Sequence, residues 1–209
     1  MSARPSPATT LNGALRAAPG FAAVARPGKV LADLLPASRT KDIALVVGGA
    51  VLTGIAAQIA VPVPGSPVPV TGQTFAALLV GTALGARRGF LSLALYALAG
   101  MAGMPWFAEG ASGFSMPSFG YVVGLMLASA AVGALARRGD DRSWWRTARA
   151  FLIGEAIVYA VGVPYLAFST GMSLSAAVAA GLTPFLIGDA LKAALAMGAL
   201  PTAWKFADK

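Results

Sequence analysis

Six runs of apolar residues, five of them close to the length that crosses a lipid bilayer, dominate this 209-residue sequence. A helix needs about 20 mostly apolar residues to span the hydrocarbon core of a membrane. Hydrophobic residues make up 57% of the chain and charged residues 11%, so the sequence predicts an all-α integral membrane protein, a bundle of six transmembrane helices. The predicted spans lie near residues 43–61, 72–86, 89–105, 118–137, 148–169 and 182–204.

Basic residues occupy alternate connections between these runs. Six precede the first span, Arg87 and Arg88 join the second to the third, five arginines lie between the fourth and fifth, and Lys205 and Lys209 close the chain. Residues 62–71, 106–117 and 170–181 contain no lysine or arginine. Cytoplasmic loops are enriched in these residues, so the alternation predicts that both termini are cytoplasmic. The net charge of +8 is therefore better explained by topology than by a nucleic-acid surface.

The first forty residues differ in composition from the rest. They contain Pro, Ala, Gly and scattered Arg without a sustained apolar run. We expect residues 1–40 to form a flexible basic cytoplasmic tail and residues 41–209 to form a single membrane domain. Arg16 and Pro19 interrupt the only stretch that resembles the apolar part of a signal peptide, so a cleaved leader is not expected.

Several kinds of chemistry lack the residues they need. The chain has no cysteine and no histidine, which excludes disulfides, thiol catalysis, imidazole proton relays and the commonest zinc ligands. It has no phosphate-binding loop of the Gly-x-x-x-x-Gly-Lys-Ser/Thr type, so it is not expected to hold ATP by itself. No carboxylate cluster suggests a metal site. We expect neither an enzyme nor a cofactor, but a membrane protein that binds a small molecule.

Two ionisable residues lie inside the last apolar run. Asp189 and Lys192 are three positions apart, so they share one face of a helix. An ionisable residue in the middle of a membrane span costs about 2.5–3.5 kcal/mol, so such a pair is a candidate functional site. The alternative is an ion pair that only holds the bundle together.

Other polar residues in or beside the spans each have a structural and a functional interpretation. Thr71 caps the second span, or Gln73 and Thr74 face a pocket. Tyr121, near the depth of Asp189, and the deeper Tyr159 are packing residues or line the site. The aromatic connection 104–114 is a lid or an interfacial anchor. Glu155 pairs with Arg149, faces a partner subunit or carries a proton.

Small residues recur along the first span. Such ridges allow helices to approach closely, either within the bundle or against another membrane protein. We expect Ala56 and Ala60 to be the pair that docks a partner. The ridge comprises Ala44, Gly48, Ala50, Gly54, Ala56 and Ala60.

Several motifs, in order, resemble the biotin transporter BioY family. The resemblance covers roughly residues 31–205, and residues 1–30 and Glu155 have no counterpart in it. It is carried by residues 67–75 (PVPVTGQTF), 84–89 (LGARRG), 98–100 (LAG), 105–108 (PWFA), 120–121 (GY), 159 and 162–167 (Y and GVPYLA), and 188–192 (GDALK).

The resemblance implies the substrate-binding S component of an energy-coupling factor (ECF) transporter in the cell membrane. Its ligand would be biotin, and its partners a transmembrane coupling protein and a pair of ABC ATPases. Asp189 could accept an N–H of the ureido ring, while Lys192 could donate to the ureido oxygen or to the ligand carboxylate. Two alternatives stay open: a proton-coupled vitamin carrier that uses Asp189 or Glu155, and a membrane scaffold that binds no ligand. The expected binding residues are Gln73, Thr74, Tyr121, Tyr159, Asp189 and Lys192.

Overall fold

The computed structural model describes residues 28–207, which are almost wholly helical. One short antiparallel pair, β1 (Ala60–Val61) and β2 (Val70–Thr71), holds Ala60 opposite Thr71. Single 3-10 turns lie at Leu31–Leu34, Ala108–Gly110 and Thr183–Phe185. The helices are α1 (Arg39–Ala57), α2 (Gln73–Leu84), α3 (Ala86–Met101), α4 (Phe119–Arg137), α5 (Trp144–Thr170), α6 (Leu174–Gly181) and α7 (Leu186–Ala207).

Each of the six predicted spans contains a helix of the structure. Four helical stretches are long and apolar enough to cross a membrane: α1, α4, α5 and Leu174–Ala207, which comprises α6, a 3-10 turn and α7. The helix α2 is also apolar but has only 12 residues, and α3 has 16. The helical prediction is therefore confirmed, whereas the crossing of the membrane by all six stays a prediction.

The last span differs from the sequence prediction, which left residues 170–181 as a connection. The hydroxyl of Ser173 accepts a hydrogen bond from the Ala176 amide at 3.3 Å and so caps the extra helix α6. Pro184 then falls in the first turn of the 3-10 segment that follows. A proline has no N–H to continue a helical ladder, so α6 and α7 are separated by a bend.

Basic residues gather at one end of the bundle, called here the basic end. The carboxylate of Asp33 accepts hydrogen bonds from Arg88 at 2.8 Å and from Arg137 at 3.2 Å. A further arginine, Arg142, donates to the carbonyl of Lys29 at 3.0 Å. The segment before α1, the α2–α3 turn and the α4–α5 connection therefore meet, as the charge alternation predicts.

The predicted boundary of the tail is too late in the chain. Residues 1–27 lie outside the described residues, but residues 30–33 pack on the bundle, while residues 34–38 are exposed. Val30 is fully buried in the core, and α1 begins at Arg39. An apolar anchor and a paired carboxylate, Asp33, are enough to fix this short segment on the bundle.

The connections without basic residues meet at the opposite end, called here the pocket end. The amide of Gln58 donates to the carbonyls of Trp106 and Phe107 at 2.9 and 3.1 Å. The hydroxyl of Tyr165 donates to the carbonyl of Phe114 at 3.0 Å. These bonds tie the 102–118 connection to the end of α1 and to α5.

Close helix contacts at glycines hold α2 inside the bundle. A Cβ on Gly81 would lie 2.3 Å from the carbonyl oxygen of Ser129, and one on Gly133 would lie 2.4 Å from the amide of Ala86. Real Cβ atoms do not approach so closely, so only glycine allows α2, α3 and α4 to meet here. The short helix α2 thereby presents its first turn to the pocket end.

Candidate ligand-binding site

A cavity opens at the pocket end between α2, α4, α5 and α7. It holds about 570 Å³ free of protein atoms, its open mouth included. The centre of a water molecule can reach only about 50 Å³ of this space, so the cavity is narrow. Pockets for small ligands combine apolar walls with a few polar groups. Its lining residues are Val68, Pro69, Thr71, Gln73, Thr74, Phe107, Ala108, Met116, Ser118, Tyr121, Val122, Leu125, Glu155, Val158, Tyr159, Phe185 and Asp189.

A polar network centred on Asp189 lies on one side of this cavity. The ammonium of Lys192 donates to Oδ1 of Asp189 at 3.0 Å and to the hydroxyl of Thr74 at 2.9 Å. The hydroxyl of Tyr159 donates to Oδ2 of the same carboxylate. Three helices, α2, α5 and α7, thus supply the network, and the carboxylate has partners that offset part of its desolvation.

Gln73 and Thr74 both face the cavity, as the functional interpretation of the 71–74 segment predicts. The hydroxyl of Thr71 accepts a hydrogen bond from the Gln73 amide at 3.3 Å, so it also satisfies one donor of the first turn of α2. The two interpretations of this segment are therefore compatible, because the backbone N–H of Gln73 donates to Thr71 while its side chain lines the cavity.

Glu155 also lines the cavity, where sequence reasoning had not placed it. It is 7% exposed, and within the described residues neither of its carboxyl oxygens has a hydrogen-bond partner. The predicted pairing with Arg149 is wrong, because Arg149 instead donates to Asp140 at 2.7 Å. Glu155 lies one helical turn before Tyr159, and this i, i+4 spacing is the sequence signal that would have identified it.

Tyr121 positions the bend between α6 and α7. Its hydroxyl donates to the carbonyl of Gly181 at 2.7 Å. A Cβ on Gly181 would lie 2.2 Å from that hydroxyl oxygen. The Tyr121 ring stands almost perpendicular to that of Tyr159 and stacks near Phe185, each at a centroid distance of 6.5 Å. The ring of Tyr121 therefore lines the cavity, while its hydroxyl bonds to the backbone at Gly181.

The 104–114 connection contributes Phe107 to the cavity wall. Phe107 is 1% exposed and packs on Gly100, where a Cβ would lie 2.1 Å from the ring. The indole N–H of Trp106 donates to the carbonyl of Tyr96 at 3.0 Å. Interfacial anchoring is thus wrong for Phe107, which is a core residue, while movement of this connection as a lid stays a prediction.

The structure brings the predicted binding residues together. Five of the six line the cavity directly, and Lys192 reaches it through Asp189 and Thr74. Apart from Glu155, Thr71 and Ser118, the lining residues that were not predicted are apolar, among them Phe107, Val122, Leu125, Val158 and Phe185. Such residues carry no individual signal in a chain that is apolar almost throughout. Residues 28–207 contain no group of three metal-ligating side chains.

The two residues of the expected docking pair, Ala56 and Ala60, do not lie on one helix. Ala60 lies in β1 beyond the end of α1, and Ala56 is half-buried with its carbonyl against Gly72. Earlier members of the same ridge, Ala44 and Gly48, are exposed on α1. The small residues of the first span therefore share a helix only up to Ala57, where α1 ends.

Comparisons with known proteins agree on one family. The model of the BioY family matches residues 28–209. The probable biotin transporter BioY of Lysinibacillus sphaericus is 35% identical over 136 residues, which cover 64% of this chain and 68% of that protein. The biotin transporter BioY2 of Lactococcus lactis is 35% identical over 137 residues, covering 64% and 74%.

The fold is also that of a solved structure. A crystal structure of the S-component for biotin from an ECF-type ABC transporter superposes with a TM-score of 0.71 at 20% identity. The match covers 83% of this chain and 96% of that one. At this identity the match concerns the fold alone.

Proposed function

Because this chain belongs to the BioY family, we propose that it takes up biotin as the membrane-embedded substrate-binding S component of an ECF-type transporter. The observation that carries this proposal is the cavity at the pocket end, with the Asp189–Lys192 pair on its wall. A ureido ring offers two N–H donors and one carbonyl acceptor, and it matches a carboxylate beside an ammonium. Aliphatic and aromatic walls suit the thiophane ring and the valerate chain of biotin.

The proposal includes roles for the six predicted residues. Asp189 and Lys192 bind the polar end of the ligand, and Thr74 and Tyr159 hold that pair in position through their hydrogen bonds. Gln73 adds a neutral polar contact from the first turn of α2. Tyr121 supplies ring surface. Biotin would then enter from the pocket end, which carries no basic connection.

The proposed arrangement in the cell membrane is six spans with both termini in the cytoplasm. Support comes from the basic end, where Arg88, Arg137 and Arg142 lie together with the segment before α1. A positive end is retained on the cytoplasmic side of membrane proteins. The helices α2 and α3 are short, so they would cross with their ends close to the two interfaces.

Energy for concentrative uptake would come from partner proteins, because this sequence has no phosphate-binding loop. The partners we propose are a transmembrane coupling protein and a pair of ABC ATPases. The chain itself would bind and release biotin without catalysing a reaction.

A surface of small residues on α1 is the proposed contact with the coupling protein. Close approach between membrane helices needs small side chains. The original candidates are Ala56 and Ala60, and the exposure of Ala44 and Gly48 adds a second pair nearer the basic end. Tryptophan placed singly at each of the four positions separates the pairs: at the docking pair it abolishes ATP-dependent uptake and leaves biotin affinity intact. If affinity and uptake fall together at a position, that position is internal packing.

Transport in reconstituted vesicles tests the proposal. Radiolabelled biotin uptake should require both partner proteins and ATP, and a protonophore should leave it unchanged while ATP is maintained. Uptake by this chain alone that collapses with the protonophore would instead establish the proton-coupled carrier. Absence of any ligand-induced stabilisation would favour the scaffold.

A further inference from the structure

Two buried polar side chains of the cavity lack a hydrogen-bond partner within residues 28–207. They are the carboxyl of Glu155 on α5 and Nε2 of Gln73 on α2. Each residue is only 7% exposed. Buried polar groups in native proteins are nearly always paired. Unpaired groups that share one cavity therefore indicate where a ligand supplies the partner.

The other buried polar groups of the cavity already have partners in the protein. Both oxygens of Asp189 accept hydrogen bonds, one from Lys192 and one from Tyr159. The hydroxyl of Tyr121 donates to the backbone at Gly181. Among the buried polar groups of the cavity within residues 28–207, those without any partner are thus Glu155 and Gln73, while each oxygen of Asp189 keeps a further lone pair for a ligand.

Apart from the nearby charges of Asp189 and Lys192, the surroundings of Glu155 toward α2 are apolar. Its neighbour Gly154 lies against Leu78 of α2, where a Cβ would come within 2.6 Å of that side chain. One turn earlier on α5, Phe151 packs near Phe75 with a centroid distance of 6.4 Å. The contact between α2 and α5 is apolar here, so a leucine at position 155 would suit it better than an acid.

We infer that Glu155 is a ligand-binding residue: its carboxyl accepts an N–H of the ligand, and Gln73 donates to the carbonyl next to that N–H. A planar group with an N–H beside a C=O, as in an amide or cyclic urea, fits this pair of free groups. In biotin that group is the ureido ring, so the inference rests on the proposed function. Asp189 and Lys192 then act on the same ring from α7.

Calorimetric titration of the purified full-length chain with biotin tests the inference. Glu155→Leu should weaken biotin binding at least tenfold, about 1.4 kcal/mol. Glu155→Gln keeps one acceptor oxygen, so its affinity for biotin should lie between those of the wild type and Glu155→Leu. The matched control is Ser129→Ala, which removes another buried and unpartnered polar atom, away from the cavity, and should leave affinity unchanged.

Thermal unfolding distinguishes a binding role from a structural one. Without ligand, Glu155→Leu should raise the melting temperature, because it removes an unpaired buried carboxyl. With biotin, the stabilisation seen in the wild type should largely disappear. A lower melting temperature without ligand would show that the carboxyl supports the fold, and would overturn the inference.

A ligand variant identifies the group that Glu155 contacts. Biotin methylated on a urea nitrogen should bind the wild type more weakly than unmodified biotin does. This loss of affinity should be smaller in Glu155→Leu, because the carboxyl that accepts the N–H is absent there. Equal losses in both proteins overturn the inference. Normal biotin affinity in Glu155→Leu also overturns it but leaves the proposed function standing, whereas a wild type that binds no biotin removes both.

Discussion

The Nζ atom of Lys192 lies 3.0 Å from Oδ1 of Asp189, three residues earlier on α7. The side chains are 12% and 9% exposed, and Thr74 and Tyr159 complete their hydrogen bonds. A buried ion pair contributes little net stability, because desolvation offsets the attraction between its charges. Because the pair lies beside a cavity, we propose that it binds a polar ligand.

Removal of either member of this pair should weaken biotin binding. Asp189→Asn and Lys192→Ala should each lose at least tenfold in affinity, about 1.4 kcal/mol, measured by calorimetric titration. Each change also leaves the other charge without its partner, so unfolding of the variants must be measured in parallel. Lys205→Ala, at the far end of α7, is the control and should bind normally. Normal affinity in both folded site variants would contradict the assignment.

The topology can be tested with single cysteines, because the natural sequence contains none. Cysteines at Ser112 and Ser175, both exposed at the pocket end, should react in intact cells with a thiol reagent that cannot cross membranes. Cysteines at Arg87 and Arg138, exposed at the basic end, should react only after the cells are opened. External labelling of either arginine position would show that the orientation is inverted.

The sequence predicts which connections lie together more completely than it predicts the cavity. The charge alternation depends on individual arginines that the sequence shows directly, such as Arg88 and Arg137. Both lie at the basic end, where each donates to Asp33. The bend before α7 was not predicted, because Leu182 and Pro184 lie within an apolar stretch that reads as continuous. At this bend the Tyr121 hydroxyl donates to the carbonyl of Gly181, a tertiary contact that the sequence does not show.

The polar residues of the site were mostly predictable and its apolar wall was not. Asp189 and Lys192 stand out because ionisable residues in membrane spans are rare. Phe107 and Phe185 resemble many other apolar residues, and only the packing of distant segments selects them for the cavity. Pairing of Glu155 with Arg149 is only one of the three interpretations that the sequence allows, and the sequence does not show that Arg149 pairs with Asp140 instead.

Close packing at Gly81 should make it intolerant of alanine. The added Cβ would lie 2.3 Å from the Ser129 carbonyl oxygen, and overpacking of this kind typically costs about 1–3 kcal/mol. Gly198 on α7 has nothing within 4 Å of the same position, so Gly198→Ala should be neutral or slightly stabilising. The melting temperature should therefore fall in Gly81→Ala and stay unchanged or rise slightly in Gly198→Ala. Equal shifts would contradict the close contact of α2 with α4.

The stability contributed by Asp33 should depend on pH. Burial acts to raise the pKa of this carboxyl, but hydrogen bonds from Arg88 and the Val30 amide, with Arg137 nearby, outweigh burial and hold the pKa below its usual 3.8. A carboxyl with a lowered folded-state pKa stabilises the fold above its unfolded pKa, and this contribution is lost as the pH falls through the folded value.

Asp33→Asn should therefore lower the melting temperature at pH 7, and the difference from the wild type should shrink as the pH falls below 3.8. The salt bridges of Asp33 are partly exposed, so a modest effect is expected. Asp42→Asn, at a more exposed carboxylate that also contacts Arg88, is the comparison and should shift the melting temperature less. A difference between Asp33→Asn and the wild type that does not change with pH would contradict this assignment.

Direct ligand binding tests the central claim, that this chain alone recognises biotin. Purified protein titrated with biotin, desthiobiotin, thiamin and riboflavin should bind biotin, and more weakly desthiobiotin, which keeps the urea but lacks the sulfur ring. It should not bind thiamin or riboflavin. A folded protein that releases no heat and gains no thermal stability with biotin, or that prefers thiamin or riboflavin, would contradict the account.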